Sequence, residues 1–99
     1  MNKIFVKRSV YAGARELQRA AIIADAAPHH LAEDLITECQ NGKMYDRARY
    51  WRDVWLYLMM VKHDCGVTEI IEDYFQGPRP YQNLANRDSK KTPDNPTIN

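Results

Sequence analysis

Between Tyr50 and Val61 ten of twelve residues are apolar, and at helical spacing they surround the axis instead of forming a stripe. A helix that is apolar on all sides has to be covered by its neighbours or by a partner. Spanning a bilayer as a helix takes about 20 such residues, so this stretch calls for cover inside a fold and not for a membrane. A chain of 99 residues offers one domain to supply that cover. The spacing predicts a helix over about Lys43 to His63. Trp51 and Trp55 lie one turn apart, Val54, Tyr57 and Val61 form a second seam, and Arg49 and Asp53 mark the remaining polar side.

The material available to surround this helix is limited. Leu, Ile, Val and Phe together make 20 of the 99 residues, which is at the lower edge of what packs a core, so Ala, Tyr, Met and Trp must supply the margin. From Val10 onward Val10, Ala14, Leu17, Ala21 and Ala24 recur at steps of four and three. That pattern predicts a first helix from about Ser9, as its cap, to Ala26. Pro28 stops this helix and opens a second, in which Leu31, Leu35 and Cys39 keep a step of four until Asn41-Gly42 offers a left-handed stop. Gly66 is read as the end of the third helix. Thr68, Glu69 and Glu72 then open a fourth short one carrying Ile70, Ile71, Tyr74 and Phe75, with Gly77-Pro78 as its terminator. Ile4, Phe5 and Val6 are too few to form a sheet without a partner strand and are read as an extended arm. The expected fold is therefore all-α, a small bundle of about four helices, with a helical domain over 1–76.

Four of the five prolines fall in residues 77–99, together with four asparagines and only four apolar residues, so this segment reads as a Pro/Asn-rich tail that cannot bury enough surface to order itself. Within it, Pro78 and Pro80 hold Arg79 extended, and Arg79 and Tyr81 are residue types enriched at interface hot spots. Pro78, Arg79, Pro80 and Tyr81 are therefore candidate partner-binding residues. X-Pro bonds in such segments are cis roughly 5–30% of the time, which makes a host prolyl isomerase at Gly77-Pro78 a second candidate partner. On the first helix Arg8, Arg15 and Arg19 fall at steps of seven and four as a basic stripe, and Arg15 and Arg19 complete the candidate set.

Chemistry is poorly represented. The formal net charge of +1 gives no general drive toward nucleic acid or anionic lipid. His29, His30, Cys39, His63, Asp64 and Cys65 lack the paired spacing of a metal module, and His63-Asp64-Cys65 reads as a helix end more than as a catalytic pair. The scattered glycines form no phosphate loop. Tyr45, Tyr50, Trp51, Trp55 and Tyr57 interleave with Arg47, Arg49 and Arg52 like a stacking platform for single strands, but so small a domain needs those rings in its core. MNKIFVKR is followed by polar residues where a secretory signal needs an apolar run, so two reduced cysteines in a cytoplasmic protein are expected.

From MNKIFVKRSVYAGARELQRA through MYDRARYWRDVWLYLMMVKHDCG to the Pro/Asn-rich end, the chain resembles the small anti-RecBCD proteins of Salmonella lambdoid phages. The resemblance lies in the overall sequence and in no short motif. It implies a phage-encoded, non-enzymatic modulator, without cofactor, in the cytoplasm of the infected bacterium. It implies binding to the host RecBCD helicase-nuclease through RecC, redirecting DNA-end processing toward phage recombination, with DNA contacted only indirectly. A small helical nucleic-acid-binding regulator is the alternative, using the Arg8, Arg15 and Arg19 stripe or the Arg-rich start of the third helix.

Overall fold

The computed structural model of the chain describes residues 2–73. They form, in order, β1 (Lys3–Lys7), α1 (Arg8–Ala24), α2 (Pro28–Asn41), α3 (Tyr45–Lys62) and β2 (Val67–Ile71). The expected tail over 77–99 and the boundary at 76 lie outside the described residues.

The chain is mostly helical, as the spacing predicts, but two expectations are corrected together. The N-terminal arm is a strand, and where the fourth helix was expected Val67–Ile71 is a strand as well, Tyr74 and Phe75 lying outside the described residues, so the described residues hold three helices and one two-stranded parallel sheet. Val67, Thr68, Ile70 and Ile71 are β-branched, stiff at χ1 and suited to a pleated surface. Ile4 and Val6 are buried while Lys3, Phe5 and Lys7 face outward, the alternation a half-buried strand requires. The strands run in register from Lys3 beside Val67 to Lys7 beside Ile71. Parallel strands need a crossover, and here all three helices make it up.

The core lies between the sheet and the helices. Val10, Ala14 and Leu17 of α1, Ala32, Leu35 and Cys39 of α2, and Trp51, Val54 and Leu58 of α3 form one cluster with Ile4 and Val6. The α1 and α3 backbones approach closely at Gly13, where a Cβ would collide with the Tyr50 hydroxyl and crowd Val54. That space lets Tyr50 donate to the Ser9 carbonyl oxygen at 2.7 Å, satisfying a buried hydroxyl. Tyr57 shares a 2.7 Å hydrogen bond with Thr68 Oγ1 and packs its edge on Tyr11 at 6.0 Å, joining α3 to β2 and α1.

Helix ends depart from the expected signals. Ser9 is not the cap of α1: the N-cap position is Lys7, whose side chain makes no capping bond. The cap arrives from the far end of the described chain. Asp73 accepts from the Ser9 N–H at 2.9 Å and from Ser9 Oγ at 2.6 Å, and the Arg8 guanidinium grips both oxygens of Glu72 at 2.8 Å. An anion at the first turn of a helix meets its unsatisfied N–H groups and its dipole.

At the C-termini, Ala26 N–H to Ala21, Met44 N–H to Cys39 and Cys65 N–H to Met60 each close the six-to-one bond of a Schellman motif. The left-handed residue is Asp25 at φ 52°, Lys43 at φ 60° and Asp64 at φ 53°, never glycine. The expected left-handed stop at Asn41-Gly42 is thus displaced, because Gly42 at φ −86° is still in the last turn and bonds Glu38, leaving the reversal to Lys43. α3 likewise reverses at Asp64 and not at Gly66. Gly66 serves the sheet instead, since a Cβ there would lie 2.6 Å from the Asn2 carbonyl oxygen.

Two outcomes follow from these ends. A left-handed L-residue costs about 1–2 kcal/mol that glycine avoids. Lys43→Gly should therefore raise stability by about 1 kcal/mol, read as a higher urea midpoint at unchanged slope. Partial burial pushes the Asp73 carboxyl up, but the hydrogen bonds from Ser9, with Lys7 nearby, outweigh it and hold it below the ordinary value. The Arg8 hydrogen bond and charge lower Glu72 in the same direction. Groups depressed in the folded state give stability that is complete above the ordinary carboxylate range and lost as pH falls through their folded values. Stability should decline below about pH 4. Asp73→Asn cannot ionise and should flatten that decline by lowering the stability at pH 7 toward its acid value, and Asp73→Ala should cost about 1 kcal/mol at pH 7 by urea denaturation.

Candidate docking surface

The circumference of α3 divides into three. Tyr50, Val54 and Tyr57 face α1 and the strands, through the contacts with Ser9, Gly13 and Thr68. Trp55 faces α2, where its Nε1–H donates to Glu33 Oε2 at 2.9 Å. Trp51, 2% exposed, stands on Tyr50 edge to face at 4.9 Å. The third side is open. Tyr45, Arg49, Arg52, Leu56 and Met60 follow at steps of four, three, four and four, which keeps them on one face. Tyr45 is 62% exposed, Leu56 45% and Met60 41%.

The aromatic cluster is therefore split. Tyr50, Trp51 and Tyr57 are core residues, Trp55 is half-buried against α2, and Tyr45 is exposed. Among the described residues, the side chains of Arg47, Arg49 and Arg52 make neither a hydrogen bond nor an ion pair, so the Arg49 to Asp53 pair expected from spacing does not close. Their charge is left for solvent or a partner.

The candidates on α1 have other neighbours. Arg8 is committed to Glu72, and Arg19 pairs with Glu16 one turn away, at 2.5 Å. Arg15 is exposed and free of a partner among the described residues. The structure does not bring Arg15 and Arg19 together with Pro78, Arg79, Pro80 and Tyr81, because those four lie outside the described residues. His63, Asp64 and Cys65 form the capping turn of α3, with Cys65 exposed and Cys39 buried in the core. Among the described residues no three His, Cys, Asp or Glu side chains converge as a metal site, and no helix is long and apolar enough to cross a membrane.

Where the C-terminus of α3 approaches the N-terminus of α2, His29 and His30 have ring centres 4.2 Å apart. Desolvation, then the charges of His30, Lys62 and His63, hold His29 below its ordinary value against the opposing pull of Glu33. Lys62 and His29 thus share this end of the bundle with the acids Glu33 and Asp64.

Two apolar exposures escaped the sequence pattern. Ile22 and Ile23, 82% and 87% exposed, sit past the last buried residue of α1, Ala21. Leu56 and Met60 share the side of α3 that Arg49 and Arg52 mark as polar. Extending that polar side by one turn in the sequence was the available signal.

No family model matches the chain, and neither a curated protein nor a solved structure is similar to it at a significant level.

Substitutions separate the open face from the core. Trp51→Ala should cost about 3–5 kcal/mol and largely unfold so small a domain. Leu56→Glu should keep the helical circular dichroism and move the melting temperature by only a few degrees. Unfolding by both would mean that Leu56 is as much a core residue as Trp51.

Proposed function

We propose that this chain is a phage-encoded, non-enzymatic modulator that binds the host RecBCD helicase-nuclease through RecC and redirects DNA-end processing toward phage recombination, in the cytoplasm of the infected bacterium. The sequence resemblance supplies the identity of the partner. The observation that supports a docking role is the open face of α3, where exposed Leu56 and Met60 adjoin arginines that no described residue engages. Arg, Tyr and Met are enriched at protein interfaces, while isolated apolar residues on a surface need no such explanation. Charge favours a protein partner over direct DNA binding: residues 2–73 hold ten Lys and Arg against eleven Asp and Glu. The segment around Pro78, Arg79, Pro80 and Tyr81 belongs to the same proposal as a second docking element, with a host prolyl isomerase at Gly77-Pro78 as an accessory partner.

A modulator without chemistry of its own acts through differential affinity. It redirects RecBCD only to the extent that it binds one functional state of the enzyme more tightly than another. Purified protein should co-elute with RecBCD on size exclusion and, at saturation, alter its nuclease activity on linear duplex DNA. Elution apart at micromolar concentrations, or turnover of a substrate by the protein alone, would overturn the proposal.

A further inference from the structure

We propose that the free edge of β1 receives an extended segment of a partner protein, which pairs antiparallel to Lys3–Lys7 and carries acid, apolar and acid side chains at alternate residues. This rests on the reading of the chain as a docking protein and adds a second surface, distinct from the open face of α3. The parallel register determines which backbone groups are free. The Asn2 carbonyl oxygen accepts from the Val67 N–H at 2.9 Å while Lys3 lies beside Val67, so residues 2, 4 and 6 bond toward β2. Lys3, Phe5 and Lys7 therefore turn their N–H groups away from β2, and Lys3 and Phe5 turn their carbonyl oxygens away as well. No other described residue bonds to these groups. On the opposite edge the outward groups belong to Thr68 and Ile70, which are half-buried. Only on β1 do the residues with free backbone groups also have exposed side chains.

Phe5, 64% exposed, lies opposite Glu69 and diagonal to Val67 and Ile71, which are exposed too. Parallel sheets occur almost only with both faces covered, and two strands alone are marginal. A strand added at β1 widens the sheet, and its apolar residue opposite Phe5 packs on the ring. Lys3 and Lys7 stand two residues to either side of Phe5 on the same face, so acids at the matching positions meet ammonium groups. Lys7 makes no ion pair among the described residues. The acids nearby belong to β2 and the two residues after it, and each is engaged: Glu69 by Lys3 at 3.5 Å, Glu72 by Arg8 and Asp73 by Ser9. The Lys3–Glu69 pair is long and exposed, so it opposes a second acid only weakly. A second copy of the chain is a poor occupant, because antiparallel pairing of two β1 strands about Phe5 sets Lys3 against Lys7 twice. Lysines on an edge guard against such self-pairing. A nucleic acid has no ladder of N–H and C=O groups to offer this edge.

The test uses the full chain and a labelled peptide with glutamate, phenylalanine and glutamate at alternate central residues and threonines between and beyond them. Fluorescence anisotropy should show binding that weakens at least tenfold when the amides of those three residues are N-methylated, because they face β1. Methylating the intervening amides instead should leave it unchanged. Lys3→Glu with Lys7→Glu should weaken binding at least tenfold. Phe5→Pro should do the same, since it removes an edge donor and none of the bonds to β2. Thr37→Glu on the exposed side of α2 should have no effect. Circular dichroism confirms that each variant is folded, and the methylated peptides decide the question on the wild-type chain if a variant unfolds. Absence of binding at submillimolar peptide, equal effects of the two methylation patterns, or insensitivity to the lysine substitutions would overturn the proposal. So would a dimer of the free chain, seen by sedimentation and broken by Phe5→Pro, which would make the edge self-pairing. RecBCD co-elution separates the two readings. If the peptide pattern holds and RecBCD does not co-elute, the choice of RecBCD is wrong and the edge stands. If RecBCD co-elutes and the peptide pattern fails, RecBCD is the partner and this edge is not a docking site.

Discussion

The parallel pairing of Lys3–Lys7 with Val67–Ile71 is the constraint on which the rest of the described structure depends. It joins segments more than sixty residues apart, so the chain must bring its ends together before the ladder returns anything. The entropic cost of closure grows only as the logarithm of loop length, about 0.6 kcal/mol per doubling, so the length of the crossover is not prohibitive. Two strands in water are marginal by themselves. Ile4 and Val6 make the pairing worthwhile because they are buried against the helices, and the helices in turn gain the Asp73 cap on α1 only when β2 has been laid beside β1. Sheet and helices therefore stabilise each other, which is the physical content of a cooperative fold.

That closure also decides which side of α3 stays open. The strands take the place beside α1 that Tyr57 reaches through Thr68, and α2 covers the side marked by Trp55. A fourth helix over residues 68–75 would have been an amphipathic element of the size needed to lie over Leu56 and Met60. With Val67–Ile71 in a strand instead, a helix whose composition calls for cover on every side receives it on two from the described residues. The surplus of apolar surface in Tyr50 to Val61 is therefore not absorbed by the described residues.

The three helices were legible in the sequence because their buried residues keep a local period. Val10, Ala14, Leu17 and Ala21 are buried as spaced, as are Leu35 and Cys39. The strands were not, for two reasons. Ile70, Ile71, Tyr74 and Phe75 imitate a helical step, so the β-branched run from Val67 was outweighed by a periodicity belonging partly to other residues. A strand also takes its stability from its partner, and nothing near Ile4 or Val6 reveals a partner sixty residues on. Helix ends were misread for a related reason. Schellman closure selects the position where the six-to-one bond forms, and at Lys43 and Asp64 that position is one after or two before the glycine expected to serve it. The α1 cap was invisible for the same cause as the sheet, because Asp73 lies 64 residues from Ser9. Of the candidate binding residues, Arg15 and Arg19 are exposed as a basic stripe requires, but Arg19 is already engaged by Glu16.

Rigidity connects this architecture to docking. Much of the cost of association is the ordering of the surfaces that meet, and a surface already held in place avoids it. α3 is fixed by Trp51 and Val54 in the core, by Tyr50 on Ser9 and by Trp55 on Glu33, so its open face is presented by a backbone that has nothing left to order. Leu56 and Met60 offer too little apolar area to choose a partner by burial. Selection must then come from the charges arranged around them, which reject a mismatched partner more strongly than they reward a matched one. Asp53 and Glu33 lie beside the apolar centre, with Arg49 and Arg52 before it. A partner carrying acid over the middle of the strip would place acid on acid.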